Sequence, residues 1–362
     1  MTNRRDANRR TVLKTIGAGV VGGLASIGTA SATAGRGRGR GPKNVVEIIA
    51  RHPPDDDDRY EFVLSDDEIE PGWTTFDFVN EAGSTHFGFI VELSDVAVGE
   101  LEGHSEGDTL AEKYMNAAAL PFQEAWNDYY EGEITAGDLF AELFMALPEW
   151  FLTETTASGG PGLTGGGRSS KTTMNLTEGT YLVECYVLDL DGVFHTTHGM
   201  IETFEVTGGP SKMAEPEPTL DVSISTGEGI VFDDADVRLG RQTVGITFED
   251  NKEYDHGLGH DVHLIRLEEG TTASDVNAWM DYLDVGPDGY YADSGGLTSS
   301  GDAPGPETFL GGVQDVFPGE VPETAYFEVT LSPGDYAWIA EVPDPAGEDL
   351  LQEFTVSPPG RR

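Results

Sequence analysis

The sequence predicts a mainly β protein built from two related β-sandwiches, each interrupted by a helical insertion. Short segments with alternating apolar and polar residues, such as residues 74–79 and 181–185, recur along the chain, and this alternation is typical of half-buried strands. The order of segments in residues 44–207 then returns in residues 220–358, which predicts a second copy of the same unit. Stretches with apolar residues at helical spacing interrupt both copies.

Composition limits the classes of partner. The chain has 362 residues, enough for two domains with their own cores, and carries 65 acidic against 21 basic residues. A net charge of −44 excludes nucleic acid as a partner, because phosphate binding needs positive charge. Such an acidic surface is typical of proteins that work in molar salt, where charges are screened within about 3 Å. We therefore expect a haloarchaeal protein.

The N-terminal residues predict export. Arg9 and Arg10 precede an apolar run that is rich in glycine and alanine, so residues 1–34 fit a twin-arginine signal peptide. The run is shorter than the ~20 residues of a membrane span. We therefore expect a secreted or cell-surface protein with no membrane span in the mature chain. Residues 35–43 are predicted to be a basic Gly/Arg linker.

Residues 44–207 form the first predicted domain. Residues 44–49 and 59–64 are predicted strands, and His86 is predicted to open a later one. Apolar residues at helical spacing predict a helical insertion at about residues 105–155. The glycine-rich residues 159–167 are predicted to be a flexible return to the sheet.

A strand, a polar loop and a second strand at residues 179–206 bring together several candidate metal ligands. Cys185 ends the first strand, and His195, His198 and Met200 follow in the loop. A thiolate, an imidazole and a thioether are the ligand types of a mononuclear copper site. Cys185 is the single cysteine of the chain, so no intramolecular disulfide can form.

The second copy keeps the pattern and lacks these ligands. A Pro-rich linker, residues 208–219, leads into it, and residues 271–283 predict a shorter helical insertion. Ala340 stands where the first copy has Cys185, and the loop after it holds neither Cys, His nor Met. A histidine cluster elsewhere in this copy could bind a metal, but such a His-rich turn is more often solvated surface, which is the interpretation favoured here; its members are His256, His260 and His263.

Three short motifs resemble those of the cupredoxins, the blue copper family with a Greek-key β-sandwich. The matching residues are Asn80, Gly83 and His86, then Gly179, Tyr181 and Cys185, then His195 and Met200. The resemblance implies two cupredoxin-like domains. It also implies a copper ion held in the first domain by His86, Cys185 and His195, with Met200 as the weak axial ligand.

The chain departs from the family in one spacing. Nine residues separate Cys185 from His195, where electron-transfer cupredoxins have two to four. His198 is therefore an alternative ligand to His195, and the longer loop predicts a wetter and less constrained site.

Motifs for enzyme chemistry were not found. The sequence has no nucleotide-binding glycine loop in a βαβ context and no His-x-His pairs for a trinuclear copper centre. We expect a non-enzymatic copper protein that serves electron transfer, with a redox partner protein, or copper handling. The alternative is a metal-free cell-surface binding or structural β-sandwich protein.

Overall fold

The computed structural model describes residues 44–358 apart from 55–58, 131–132, 190–191, 251, 253, 255–258, 269, 286–307, 317–321 and 343. The predicted signal peptide and basic linker lie outside the described residues, as does His256. About 40% of the chain is strand and 21% is helix, so the protein is mainly β, as predicted.

The strands of residues 44–206, here called the first half, alternate with turns as the sequence predicts. In chain order they are β1 (Val45–Arg51), β2 (Glu61–Leu64), β3 (Glu68–Ile69), β4 (Gly72–Asn80), β5 (Phe89–Leu93), β6 (Thr155–Ala157), β7 (Ser169–Leu176), β8 (Gly179–Glu184) and β9 (Ile201–Val206). Buried and more exposed residues alternate along β1 and β4, which explains why their sequences read so clearly as strands.

Residues 220–356, here called the second half, supply the remaining strands. They are β10 (Leu220–Ser225), β11 (Gly229–Phe232), β12 (Gly240–Phe248), β13 (Val262–Leu267), β14 (Phe309–Val313), β15 (Glu323–Leu331), β16 (Gly334–Ile339) and β17 (Leu351–Val356).

The two halves repeat one strand order. β1 pairs in parallel with β4 and antiparallel with β2, and β10 pairs in the same way with β12 and β11. In the facing sheets, the order β9-β8-β5 of the first half matches β17-β16-β13 of the second. Each half is therefore a β-sandwich with Greek-key strand order, as predicted.

A pair of tyrosines shows how closely the halves correspond. The Tyr181 ring stacks on Phe204 at 5.5 Å, and the Tyr336 ring stacks on Phe354 at 5.4 Å. Each tyrosine hydroxyl donates to a backbone carbonyl four residues earlier, at 3.1 Å and 2.9 Å. This contact supports the alignment that places Ala340 at the position of Cys185.

The two sandwiches meet at a seam between the halves, and one sheet runs across it. β7 pairs with β15, which produces one eight-stranded sheet in the order β11-β10-β12-β15-β7-β4-β1-β2. On the other layer, residues 159–165 lie between β5 and β14. Their backbone bonds to His86, Gly88 and Ile90 on one side and to residues 309–314 on the other.

Residues 159–165 are buried, so the predicted flexible return is wrong. Glycine is needed here for close packing: a Cβ on Gly160 would lie 2.0 Å from the Gly88 carbonyl oxygen. The glycines therefore allow one strand-like segment to pass between two backbones.

The helical insertion of the first half begins earlier than predicted, at Asp95. Its helices are α1 (Asp95–Gly103), α2 (Leu110–Tyr114), α3 (Leu120–Tyr130), α4 (Ala136–Ala146) and α5 (Glu149–Thr153), with a π-helical turn at Met115–Ala119 between α2 and α3. Helix α6 (Ala273–Val285) is the insertion of the second half. No helix in the described part of the chain is long and apolar enough to cross a membrane.

The segment between the halves, residues 208–219, has neither helix nor strand and lies against the protein. The Ser211 N–H donates to the Pro71 carbonyl, and the Tyr326 hydroxyl donates to the Glu215 carboxylate at 2.6 Å. The domain boundaries given above stay a prediction.

Candidate metal centre

Three residues far apart in the chain converge at one end of the first half. The Cys185 Sγ lies 3.7 Å from the Nδ1 of His86 and 3.7 Å from the Nδ1 of His195. The two imidazole rings are 4.6 Å apart, and none of the three residues is exposed to solvent. A thiol faces two imidazole nitrogens in a dry pocket.

The backbone positions the first two residues. Cys185 follows the last residue of β8, and its N–H donates to the Met200 carbonyl at 3.1 Å. The prediction that His86 opens a strand is wrong, because His86 precedes β5 by three residues. It is held by paired backbone hydrogen bonds with Thr164, which belongs to residues 159–165, here called the seam segment.

Asn80 and Ser84 fix the loop that carries His86. The Asn80 side-chain amide donates to the carbonyls of Ser84 and Thr164, both at 2.8 Å, and its oxygen accepts from the Ala82 N–H. The Ser84 Oγ lies 2.9 Å from the His86 Nε2. When Nδ1 offers its lone pair toward the sulfur, Nε2 carries the proton and donates it to Ser84.

A small hairpin explains how His195 returns to Cys185 across nine residues. Leu188 and Phe194 form a β-bridge, the Asp189 N–H donates to the Val193 carbonyl, and the His195 N–H donates to the Val187 carbonyl. The longer spacing is therefore accommodated by this hairpin, in which residues 187–189 pair with residues 193–195. His195 itself starts a 3₁₀ turn, His195–His198.

Helix α3 holds this hairpin in place. The Gln123 amide nitrogen donates to the Gly192 carbonyl at 3.0 Å, and its oxygen accepts from the Phe194 N–H at 2.7 Å. The Phe194 ring packs against Trp126 at 5.1 Å. The helical insertion therefore packs against the long loop and fixes its conformation. The expectation of a wetter, less constrained site is wrong, because the loop is held in this way and His86, Cys185 and His195 are fully buried.

Tyr60 covers the centre from the protein surface. Its ring lies 4.4 Å from the His195 ring and 5.1 Å from the His86 ring, and its backbone N–H donates to the His198 carbonyl. On the outer side the ring of His52 lies 4.5 Å from Tyr60. Nothing in the sequence marks Tyr60 or Ser84 as part of a site, because their contacts are visible only in three dimensions.

The remaining predicted residues take different places. Met200 is fully buried and is opposite Cys185 in the continuation of the β8–β9 ladder, so both side chains lie on one face. His198 is not among the converging residues, since its Nε2 lies 3.0 Å from an Asp189 carboxylate oxygen. The ligand assignment stays a prediction, and the structure brings His195 rather than His198 to the thiol.

Burial sets the protonation of the three residues. It raises the pKa of the Cys185 thiol to about 12, although hydrogen bonds from the backbone N–H groups of Phe87 and Val187 oppose the shift. Burial lowers the pKa of His86 to about 3 and holds the pKa of His195 well below its usual value. Without a cation the centre is a neutral thiol between two neutral imidazoles.

A metal fits this donor set. Two bonds of about 2.0 to 2.3 Å to one ion separate their donor atoms by at most about 4.4 Å, and both sulfur–nitrogen distances are below that limit. The His195 Nε2 has no hydrogen-bond partner in the described structure, so that ring has no other polar contact that would explain its burial. A positive ion beside the sulfur would also favour the thiolate, which burial alone disfavours.

Two buried histidines of the second half correct the sequence interpretation. His260 is 3% exposed and His263 is fully buried, so they are not solvated surface. The His260 Nε2 lies 2.9 Å from an Asp250 carboxylate oxygen, and the His263 Nε2 lies 2.9 Å from an Asp261 oxygen.

Neither a protein-family model nor a curated protein sequence matches the chain. Several solved structures are similar to the chain. The match to auracyanin B has 18% sequence identity and a TM-score of 0.22, and it covers 47% of this chain and 94% of auracyanin B. The match to dithionite-reduced auracyanin from the photosynthetic bacterium Roseiflexus castenholzii has 16% sequence identity and a TM-score of 0.22. It covers 46% of this chain and 100% of that protein.

A copper-containing nitrite reductase from Thermus scotoductus SA-01 is 12% identical, covers 86% of this chain and 61% of its own, and gives a TM-score of 0.19. At these TM-scores the likeness is remote. The function proposed below therefore depends on the geometry of the centre.

Proposed function

We propose that the first half binds one copper ion through His86, Cys185 and His195, with Met200 as a weak axial ligand, and that the protein transfers electrons. The observation that carries this proposal is the convergence of one thiol and two imidazole nitrogens, each 3.7 Å from the sulfur, in a fully buried pocket. His₂Cys with a weak axial thioether is the donor set of blue-copper electron-transfer sites.

Rigidity favours electron transfer over copper handling. Ser84 holds the His86 ring, the hairpin 186–194 holds His195, and the backbone N–H groups of Phe87 and Val187 hold the sulfur. A donor set fixed in this way keeps its geometry when the charge of the ion changes. Copper supplies the one-electron redox couple, and the protein fixes the ligands and excludes water.

The position of Tyr60 supports a route for the electron. The ring lies between the buried His195 and the more exposed His52. A redox partner protein that docks over Tyr60 and His52 would approach the centre more closely than at a face covered by the helical insertion.

Export through the twin-arginine route belongs to the same proposal. It is supported by Arg9, Arg10 and the apolar run that follows them. A secreted protein that holds copper would meet its redox partner outside the cell.

Copper titration tests the proposed function. The purified full chain should bind one equivalent of Cu(II) with an intense thiolate-to-copper absorption, and Cys185→Ser should abolish that absorption. His198→Gln is the matched control, and it should keep the absorption because His198 pairs with Asp189 instead. Absence of colour and of thermal stabilisation on adding copper would leave the metal-free alternative.

Voltammetry separates the two copper functions. Electron transfer requires a reversible one-electron wave from the loaded protein. Binding of Cu(I) through Cys185 and Met200 without such a wave would instead show copper handling.

A further inference from the structure

We propose that the second half holds a hard divalent cation, of the Mn²⁺, Mg²⁺ or Ca²⁺ class, through the carboxylates of Asp261 and Glu341. This site does not depend on the copper proposal. It lies where β13 begins and where β14 and β16 end, beside the seam segment 159–165.

Three buried polar groups converge here. Carboxylate oxygens of Asp261 and Glu341 and a ring nitrogen of His263 all lie within 4.8 Å of one another. Asp261 and Glu341 are each 2% exposed, and His263 is not exposed. Two carboxylates so close together in a dry place repel each other and lose their hydration, and a divalent cation offsets both costs.

Hydrogen bonds assign different roles to His263 and Asp261. The Leu163 N–H donates to the His263 Nδ1 at 3.2 Å, so the proton lies on Nε2. That Nε2–H donates to an Asp261 oxygen at 2.9 Å, and the other Asp261 oxygen accepts from the Glu341 N–H at 2.6 Å. His263 therefore orients the Asp261 carboxylate instead of binding the cation itself. The ligands are oxygen atoms, which hard cations prefer.

Strand register brings a third oxygen donor to the same face. Val262 pairs with Val313, so Gln314 is opposite Asp261 when the ladder is continued by one residue. Gln314 is fully buried, and in the described structure neither its amide oxygen nor its amide nitrogen has a hydrogen-bond partner. A cation held by Asp261 and Glu341 would give the amide oxygen the partner that a buried polar group requires.

The first half shows that the fold does not need these polar residues. In the alignment that matches Cys185 with Ala340 and His86 with His260, the positions of Asp261, His263 and Glu341 are taken by aromatic residues. These are Phe87, Phe89 and Tyr186, whose rings pack at 4.5 Å and 5.5 Å. Apolar packing fills the same place in the same scaffold, so the carboxylates indicate a ligand rather than a structural necessity.

Manganese binding tests the site. Chelator-treated Cys185→Ser protein, in which copper ligation is removed, should bind one equivalent of Mn²⁺ in about 1 M KCl, followed by electron paramagnetic resonance of the free ion. The salt screens the acidic surface, where ions would otherwise collect. Mg²⁺ and Ca²⁺ should compete for the site, and saturation should raise the melting temperature.

Isosteric variants locate the ion. Glu341→Gln and Asp261→Asn should each weaken Mn²⁺ binding at least tenfold, and Gln314→Met should weaken it less. Glu184→Gln is the matched control, because Glu184 is also a buried carboxylate, on the strand that leads to Cys185, and it should leave Mn²⁺ binding unchanged. Circular dichroism verifies that each variant is folded.

Two results would overturn the proposal. One is the absence of a one-equivalent Mn²⁺ site in the folded protein. The other is saturable binding that persists unchanged in both folded carboxylate variants. In either case Asp261, His263 and Glu341 form only a hydrogen-bonded network.

Discussion

The Cys185 sulfur is the central atom of the candidate metal centre, because both imidazole nitrogens approach it. Burial keeps it protonated, with a pKa of about 12, while backbone N–H groups of Phe87 and Val187 already point toward it. The copper ion proposed above would favour the thiolate, and these N–H groups would then donate to a negatively charged sulfur. Glu184, the preceding residue, points into hydrogen bonds with Tyr114 and Thr196 instead, and burial raises its pKa to about 7.

Ser84 is expected to control copper affinity through His86. Ser84→Ala removes the group 2.9 Å from the His86 Nε2 and leaves that ring free to turn. Loss of such an outer hydrogen bond typically costs about 10- to 100-fold in metal affinity. Competition with a copper chelator measures the change. Ser158→Ala, a half-buried serine outside the site, should bind copper normally, and equal affinity of both variants would contradict the role of Ser84.

Single residues were predictable only where they belong to a local pattern. Cys185 and His86 could be found because each belongs to a recognisable short motif beside a strand: Cys185 directly follows β8, and His86 precedes β5 by three residues. His195 could not be separated from His198 in the sequence, since the choice depends on how a nine-residue hairpin folds. Tyr60, Ser84 and Gln314 were missed because their roles arise from contacts between distant parts of the chain.

At the scale of elements, the hairpin 186–194 and helix α3 act together. Gln123→Met keeps the volume of the side chain but leaves the Gly192 carbonyl and the Phe194 N–H without their partner. Each lost partner costs about 1 to 3 kcal/mol when the group stays buried. We expect lower stability in denaturant unfolding and faster copper release. Gln352→Met in β17 is the control, and unchanged release in Gln123→Met would contradict the coupling of helix and loop.

The capping box of α2 gives a prediction with a pH dependence. The Thr109 hydroxyl accepts from the Glu112 N–H, and the Glu112 carboxylate accepts from the N–H groups of Asp108 and Thr109. Thr109→Ala should therefore cost about 1 kcal/mol in the free energy of unfolding.

The backbone N–H groups lower the pKa of Glu112. Its contribution is thus present above its ordinary pKa of 4.5 and is lost as the pH falls through the lower folded value. Unfolding of Glu112→Gln and of the parent protein at several pH values measures this. A difference between the two that does not shrink on acidification would contradict the assignment.

Sequence periodicity predicted the presence of many helices and strands better than the residues at which they begin and end. Strands such as β1 and β4 were visible because buried and more exposed residues alternate along them. Helix α3 lies inside the predicted insertion, but its own limits are weakly marked in the sequence because its buried side chains include the polar Gln123 and its first turn holds Pro121. The start of the insertion was placed late because α1 is short and depends on the Ser94 cap for its first N–H groups.

The whole molecule is organised around the seam between its halves. Segment 159–165 joins β5 to β14, contributes the Thr164 bridge to His86 and donates from Leu163 to His263. One buried strand-like segment thus touches both the proposed copper site and the proposed cation site. Its glycine-rich composition looks flexible in the sequence, because many of the backbone hydrogen bonds that order it come from residues about 150 positions away.

Gly162 tests the rigidity of the seam. A Cβ at this position would lie 2.6 Å from the His263 Nδ1 and 2.8 Å from the Gly312 backbone, and backbone cannot move aside cheaply. Gly162→Ala should destabilise the protein by about 1 to 3 kcal/mol. Gly209→Ala has open space around the new methyl group and should be neutral. Equal melting temperatures for the two variants would show that the seam is loose.

The most direct test of the copper proposal is X-ray absorption at the copper edge of the loaded protein. We predict one sulfur neighbour at about 2.3 Å or less and two imidazole nitrogens at about 2.0 Å, and loss of the sulfur in Cys185→Ser. A shell of only nitrogen and oxygen, identical in the parent protein and in Cys185→Ser, would contradict the proposal.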